Sequence, residues 1–260
     1  MELTVLVDNN TQKDYDLLGE FGLSILIEDE YRKILFDCGY SNVFIKNAYH
    51  MNIDLADVTD IVLSHSHNDH TGGFLWLQNL YKKLLKVGFV INNKRVVAHP
   101  YIFKPHLDEN FANIGFPGDE NSISDFFELT YTKEPFKITE NLIYLGEFPA
   151  SDSSEDPDES ALVYTSKKGL IIISGCAHAG LANIVEYAKK VTNQSKIYAI
   201  IGGVHLLQKS DTEIKKLGIY LQRQGVQMIY PCHCCDLRAK IILSKYLTVK
   251  EAYSGFKLSV

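Results

Sequence analysis

The sequence has no apolar run approaching the roughly eighteen residues that a membrane span requires. Its first residues, MELTVLVDNN, carry no cationic segment followed by a long apolar stretch, so we expect neither a signal peptide nor a membrane partner. It also lacks an excess of positive charge. The 26 basic and 32 acidic residues give a net charge of −6, which disfavours nucleic acid as a partner. We therefore expect a cytoplasmic protein that acts on a small molecule.

Cysteines are few, and their number is odd. There are five, and three of them crowd into residues 232–235, which favours free thiols in a reducing compartment over a disulfide framework. The CHCC stretch has no CxxC partner elsewhere, which argues against a structural zinc knuckle. A hydrophobic content of 46% over 260 residues is ample for a core, and we expect one domain spanning residues 1–260.

Ten short segments alternate apolar and polar residues or are rich in β-branched ones, which is typical of strands. They cover residues 4–7, 23–27, 33–36, 61–63, 96–98, 142–145, 162–165, 170–173, 197–201 and 228–230. Apolar residues recur every three or four positions in three later segments, which predicts helices at 180–191, 211–224 and about 237–247. Hairpin-like strands followed by alternating strands and helices predict an α/β (α+β) fold of two sheets with helices packed outside them.

Two stretches lack a chemical motif. Residues 80–136 have mixed patterning, and we interpret them as an insertion or cap over a site. The acidic, proline-containing run ASDSSEDPDES at 150–160 predicts a solvated loop.

The stretch VLSHSHNDHTGG at residues 62–73 places three histidines and an aspartate directly after an apolar strand. Side chains alternate in an extended chain, so His65 and His67 project to one side and can bind one ion. Asp69 and His70 follow in the turn before two glycines, where they can face a second ion. Imidazole and carboxylate ligands suit zinc, iron or manganese, and a catalytic centre leaves a position for water.

SHSHNDHTGG resembles the HxHxDH signature of the metallo-β-lactamase-fold hydrolases. The resemblance extends to ILFDCG (34–39), SGCAHAG (174–180), IGGVHL (201–206) and PCHC (231–234). It implies a four-layer αββα sandwich that carries a metal-dependent hydrolase site. The later segments are similar to the branch labelled 7,8-dihydropterin-6-yl-methyl-4-(β-D-ribofuranosyl)aminobenzene 5'-phosphate synthase-like.

The resemblance implies two divalent metal ions, with zinc as the first choice and iron or manganese as alternatives. His65 and His67 would hold the first ion, and Asp69 and His70 the second. Asp37, at the end of a predicted strand, would support the ligand loop by hydrogen bonding without binding metal.

Further ligands are expected after two later strands. The superfamily has a Gly-Asp pair with a bridging carboxylate where this chain has Gly175 and Cys176. We favour His178 as the ligand here. A Cys176 thiolate and the carboxylates of Asp158 and Glu159 stay open as alternatives, and Cys176 is also interpretable as a small buried hydrophobe.

His233 resembles the last metal-binding histidine of the superfamily. If it points to the metals, strand alternation turns Cys232 and Cys234 away from them. The branch more often has HCTG here, so Cys235 and Asp236 depart from its pattern.

Four other histidines have weaker signals. His205 follows two glycines that permit close backbone approach, and in the branch it would lie beside the metals as a substrate or proton-transfer residue. A core histidine bonded to a backbone carbonyl is the alternative. His50, His99 and His106 have no accompanying motif, so we expect surface or structural histidines.

The resemblance implies a metal-bound hydroxide as nucleophile, because coordination lowers the pKa of water towards about 7. Asp69 would orient this nucleophile and accept its proton, with His205 as the second catalytic candidate. The expected reaction is hydrolysis of a small phosphorylated or ester substrate. The alternatives are a synthase-like transferase, in which an aromatic amine attacks in place of water, and a non-catalytic metal-binding sensor. The sequence leaves the oligomeric state open.

Overall fold

The computed structural model describes residues 1–13, 16–148 and 157–260. The strands are β1 (Glu2–Val7), β2 (Ser24–Asp29), β3 (Arg32–Phe36), β4 (Asp60–Val62), β5 (Lys94–Ala98), β6 (Phe127–Tyr131), β7 (Phe136–Lys137), β8 (Leu142–Tyr144), β9 (Ala161–Ser166), β10 (Gly169–Ser174), β11 (Ile197–Gly203), β12 (Met228–Cys232), β13 (Thr248–Val249) and β14 (Lys257–Ser259). The α-helices are α1 (Val43–His50), α2 (Asn68–Thr71), α3 (Phe74–Lys86), α4 (Leu181–Thr192), α5 (Asp211–Arg223) and α6 (Leu237–Leu243). None of the helices in these parts of the chain combines the length and apolar character needed to cross a bilayer.

The chain divides into two compact units. The first comprises Met1–Thr132 with Tyr253–Ser259, and the second comprises Lys133–Ala252 with the terminal Val260. Each unit contains one sheet with helices on its hydrophobic face.

The sheet of the first unit has the order β14-β1-β2-β3-β4-β5-β6. Strands β3 to β6 are parallel, with Phe36 of β3 paired to Val62 of β4. Because parallel strands end at the same edge of a sheet, the segments after β3 and β4 are neighbours. Helices α1 and α3 bury Phe44, Leu77 and Tyr81 in the hydrophobic core of this unit.

The sheet of the second unit has the order β13-β12-β11-β10-β9-β8-β7. Strands β10 to β13 are parallel, so the segments after β10, β11 and β12 meet at one edge. Helix α5 begins at a capping box in which Ser210 and Glu213 satisfy each other's backbone N–H groups. Helices α4, α5 and α6 pack Ile184, Leu221 and Leu243 into the core of this unit.

All ten segments predicted as strands are strands, and the three predicted helices are α4, α5 and α6. Helices α1 and α3 were not predicted. Residues 80–136 contain the end of α3 and supply β5 and β6 to the first sheet. Their role as a cap, and the assignment of one domain, stay predictions.

The prediction of a solvated loop at residues 150–160 is wrong at its end, although Pro157 is exposed. Residues 150–156 lie outside the described residues, but Asp158, Glu159 and Ser160 are buried. The Glu159 carboxylate is retained in the interior because it accepts two backbone hydrogen bonds at 2.6 Å.

A buried ion pair lies at the start of β4. Asp60 is fully buried. Its two carboxylate oxygens accept hydrogen bonds from Arg32 Nη1, at 2.8 and 3.0 Å, and one of them also accepts a 2.6 Å hydrogen bond from Arg95 Nε. Its hydrogen bond and its charge raise the pKa of the Arg32 guanidinium. The carboxylate is tolerated inside the protein because both of its oxygens are paired.

Candidate functional site

The first unit brings together the four residues that the HxHxDH motif singles out. His65 Nε2 lies 3.1 Å from His67 Nδ1, and the rings of His65 and His70 have centroids 4.3 Å apart. The Asp69 carboxylate lies 3.7 Å from His70 Nε2. His65 and His70 are fully buried. Three imidazoles and one carboxylate therefore converge within a few ångströms on a short loop and the first turn of α2.

Asp37 supports this cluster as expected. Its buried carboxylate accepts bonds of 2.7 Å from the Ser64 backbone N–H, the Ser64 hydroxyl and His70 Nδ1. A carboxylate accepts hydrogen bonds, so this contact favours a proton on His70 Nδ1, and in the neutral ring Nε2 then keeps its lone pair. This carboxylate–histidine pairing is the arrangement that orients an imidazole towards a metal ion.

The loop after β3 and the histidine loop are held together by backbone contacts. The Cys38 N–H donates to the His70 carbonyl at 2.7 Å, and the Gly73 N–H donates to the Gly39 carbonyl at 3.0 Å. A Cβ on Gly73 would lie 2.0 Å from the Cys38 carbonyl oxygen, which is a steric clash. Only glycine, which has no Cβ, allows the two backbone segments to approach this closely. The position of Asp37 relative to the histidines is therefore fixed by the backbone as well as by side chains.

His106 lies against the histidine cluster, and its assignment as a surface or structural histidine stays a prediction. Its ring is nearly perpendicular to that of His67, with centroids 4.4 Å apart. The segment that carries it is tied to α2, because the Asn68 N–H donates to the Ile114 carbonyl at 2.7 Å. No local motif marks His106, since the contact joins residues far apart in the chain.

The second unit has its own cluster of possible metal ligands at the ends of β10, β11 and β12. One donor atom each from Cys176, His178 and His205 lies within 4.8 Å of the other two, and the rings of His178 and His205 have centroids 4.5 Å apart. A ring nitrogen of His233 also lies within 4.8 Å of the Cys176 sulfur. The three histidines predicted in this half of the chain are thus neighbours of one thiol.

Left-handed backbone conformations shape this cluster. Ala177, His205 and His233 have φ angles of 67°, 48° and 50°, a region that residues with a side chain rarely adopt. Such conformations cost energy and are found most often where function requires a particular side-chain position. The positive φ of Ala177 therefore makes the chain turn between Cys176 and His178.

The same turns overturn the prediction that Cys234 points away from the site. The chain bends at His233, so Cys234 Sγ lies 3.1 Å from Cys176 Sγ and accepts the His205 backbone N–H at 3.0 Å. Cys232 does conform to the alternation of β12, and its thiol donates to the Tyr230 carbonyl at 3.5 Å.

Glu159 holds the loop that carries His178. Its two carboxylate oxygens accept the backbone N–H groups of His178 and Ala179, each at 2.6 Å. Glu159 is buried, and its carboxylate is therefore a fixed support of this loop. The structure shows both oxygens accepting backbone N–H groups, and the alternative that Glu159 binds metal stays a prediction.

The thiol of Cys234 has an unusual electrostatic environment. Burial raises its pKa, but hydrogen bonds from the Cys176 thiol and from His205, with the nearby His233, outweigh burial and hold the pKa well below the ordinary value of 9.0. The hydrogen bond to Cys234 raises the pKa of His205 above its ordinary value. The contact between Cys234 and His205 thus stabilises the charged form of each group relative to its neutral form.

Comparison with known proteins places this site in a family. The family model of the metallo-beta-lactamase superfamily matches residues 17–87, which include the HxHxDH motif. The crystal structure of Tm1679, a metal-dependent hydrolase of the beta-lactamase superfamily, is 31% identical, with 100% of this chain and 99% of that chain covered and a TM-score of 0.82. This chain belongs to the metallo-beta-lactamase superfamily. The predicted α/β fold of that type is confirmed.

Two archaeal relatives are also similar over most of their length. The uncharacterized protein MJ0448 of Methanocaldococcus jannaschii is 30% identical, and the match covers 94% of each chain. The 7,8-dihydropterin-6-methyl-4-(beta-D-ribofuranosyl)-aminobenzene-5'-phosphate synthase of the same organism is 29% identical, and the match covers 85% of this chain and 83% of the synthase. The expected resemblance to that branch is confirmed.

Proposed function

We propose that this superfamily member is a metal-dependent hydrolase that acts on a small phosphorylated or ester substrate. The observation that carries the proposal is the convergence of His65, His67, Asp69 and His70 within the first unit. Imidazole nitrogen and carboxylate oxygen are the ligands that zinc, iron and manganese accept, so the donor set fits such an ion. The Asp37 bond to His70 supports the fit, because it leaves the metal-binding lone pair on Nε2.

We further propose that two ions bind, that they are zinc with iron or manganese as alternatives, and that His178 and His233 are also ligands. A bound divalent ion supplies Lewis acidity, which lowers the pKa of water towards about 7 and polarises the substrate oxygen. The chain's own residues position the reactants. Asp69 orients the attacking water and accepts its proton, and His205 transfers a proton to or from the substrate.

The location of the protein is part of the same proposal. The cysteines are five in number and three of them lie within residues 232–235, a pattern that suits a reducing compartment, the cytoplasm.

Metal analysis of a matched pair of variants tests the ligand assignment. His67→Ala removes one imidazole of the cluster, whereas His50→Ala removes an exposed imidazole at the end of α1. We expect His67→Ala to lose metal and to hydrolyse bis-p-nitrophenyl phosphate at least about 100-fold more slowly, since ligand loss exceeds the effect of losing a supporting group. His50→Ala should match wild type. Full metal content in His67→Ala would contradict the assignment.

The synthase-named relative favours one second candidate, a transferase in which an aromatic amine attacks in place of water. Incubation of the metal-loaded protein with phosphoribosyl pyrophosphate and 4-aminobenzoate separates the two reactions. Turnover of this pair without hydrolysis of the phosphodiester would reject the hydrolase. A fully metallated protein that turns over neither substrate would favour the sensor.

A further inference from the structure

Two thiols from different strands of the second unit meet at the edge of its sheet. Cys176 follows β10 and Cys234 follows β12, and β11 lies between those strands in the sheet. Their sulfurs are nevertheless 3.1 Å apart, with the Cys176 thiol donating to the Cys234 sulfur. Both residues are buried, at 5% and 4% exposure, so the contact is enclosed by protein.

Gly203, the last residue of β11, makes this contact sterically feasible. A Cβ at this position would lie 2.9 Å from Cys176 Cα and 2.9 Å from Cys234 Sγ. A side chain at residue 203 would therefore occupy the space in which the Cys234 sulfur contacts Cys176 at the end of β11. The left-handed conformation of His233 directs the chain into the same space, and the His205 N–H holds the Cys234 sulfur there at 3.0 Å.

The other cysteines have different surroundings. The Cys232 thiol donates to the Tyr230 carbonyl at 3.5 Å, and the Cys235 thiol donates to the Asp236 carbonyl at 3.8 Å. Cys38 belongs to the core of the first unit. The direct sulfur–sulfur contact therefore joins Cys176 and Cys234.

We propose that Cys176 and Cys234 are a redox modification site. A peroxide-class oxidant converts their two thiols into a reversible disulfide between the two residues. One sulfur attacks a peroxide oxygen, the O–O bond breaks, and a sulfenic acid and water result. The second sulfur attacks the sulfenic sulfur, the S–O bond breaks, and a second water leaves. In sum, two thiols and one hydrogen peroxide give one disulfide and two waters, and two added thiols of a small reductant reverse the oxidation.

Disulfide formation brings the sulfurs from 3.1 Å to a bond of about 2.05 Å, a movement of roughly 1 Å. It removes the hydrogen bond between the thiols and ties the segment after β10 to that after β12. Cys176 is two residues from His178, and Cys234 is next to His233. If these histidines bind metal, which rests on the proposed function, oxidation will weaken metal binding.

Thiol counting and peptide mapping test the modification itself. The full-length protein is treated with hydrogen peroxide, denatured, alkylated and digested. We expect titratable thiols to fall from the five of the sequence to three, a linked peptide pair containing Cys176 and Cys234, and recovery of all five with dithiothreitol. A Cys232→Ser control should lose two of its four thiols in the same way, whereas Cys176→Ser and Cys234→Ser should each keep four.

The wild-type peptide map alone decides the outcome if a variant fails to fold. Persistence of all five thiols, oxidation of single cysteines to sulfinic or sulfonic acids, or a linked pair of other cysteines would overturn the proposal. Metal content before and after oxidation is a separate readout. A Cys176–Cys234 disulfide with unchanged metal content would retain the redox site and reject its coupling to the proposed metal ligands.

Discussion

Replacement of Asp37 by asparagine should weaken metal binding while leaving the fold intact. The carboxylate accepts three hydrogen bonds of 2.7 Å, and the one from His70 Nδ1 sets the tautomer of that ring. Asparagine keeps one acceptor oxygen for the Ser64 N–H but offers an NH2 donor on the other side. His70 must then accept at Nδ1 and carry its proton on Nε2, which removes the lone pair that an ion needs.

The size of the effect follows from these contacts. Loss of a supporting hydrogen bond to a metal-binding histidine typically weakens metal affinity about 10–100-fold. The Asp37→Asn variant also retains the backbone, because Asp37 has a φ of 57° and asparagine tolerates that left-handed conformation as well as aspartate does. The loss of charge-assisted bonds should reduce the free energy of unfolding of the metal-free protein by about 1.5–3 kcal/mol.

Asp37→Ala is the matched comparison. It leaves three buried donors without their acceptor and adds the cost of a left-handed alanine, so we expect a loss of about 4 kcal/mol or more. Urea unfolding in the presence of a chelator measures both stabilities, and competition with a chromophoric chelator measures metal affinity. Wild-type metal affinity in a folded Asp37→Asn would refute the tautomer argument.

Three further changes test other contacts. Asp60→Ala should lower the free energy of unfolding by about 3 kcal/mol in urea melts, because two partly exposed arginines lose their buried partner; a loss below about 1 kcal/mol would contradict this. The hydrogen bond from the Tyr220 hydroxyl holds the pKa of the exposed Glu186 below 4.5. This bond therefore stabilises the fold above pH 4.5, and its contribution is lost as the pH falls through the lowered pKa of Glu186. Tyr220→Phe should therefore cost less than about 1 kcal/mol at pH 7, and a difference from wild type that grows on acidification would refute the sign. Glu159→Gln leaves one backbone N–H of the His178 loop without a carboxylate oxygen. We expect the free energy of unfolding, measured by urea melts, to fall by about 1–2 kcal/mol, and metal content to fall as well. Unchanged values of both would reject the supporting role of Glu159.

The sequence by itself predicted what depends on neighbours along the chain. The strands follow from local alternation and the later helices from local periodicity, and each predicted segment is present. The histidine motif is also local: His65 and His67 are two residues apart, and Asp69 and His70 lie one helical turn further on. Short spacing leaves few geometries open, so four side chains could be assigned to one cluster before any coordinates.

Only the tertiary structure decided contacts between distant segments. His106 meets His67 across 39 residues and Cys234 meets Cys176 across 58, and no pattern within a window of sequence registers either pair. Glu159 was interpreted as part of a solvated run because charge is the only signal its neighbours carry, whereas two backbone donors keep its carboxylate buried.

The backbone at the strand ends explains the remaining errors. Alternation of side chains applies while the chain is extended, and it fails at Ala177 and His233, whose φ angles are positive. These conformations are unfavourable for the residues themselves and persist because the surrounding sheet and hydrogen bonds determine them. Local preference thus predicts the elements of this protein, while the orientation of side chains at their ends is set by packing that the local sequence does not encode.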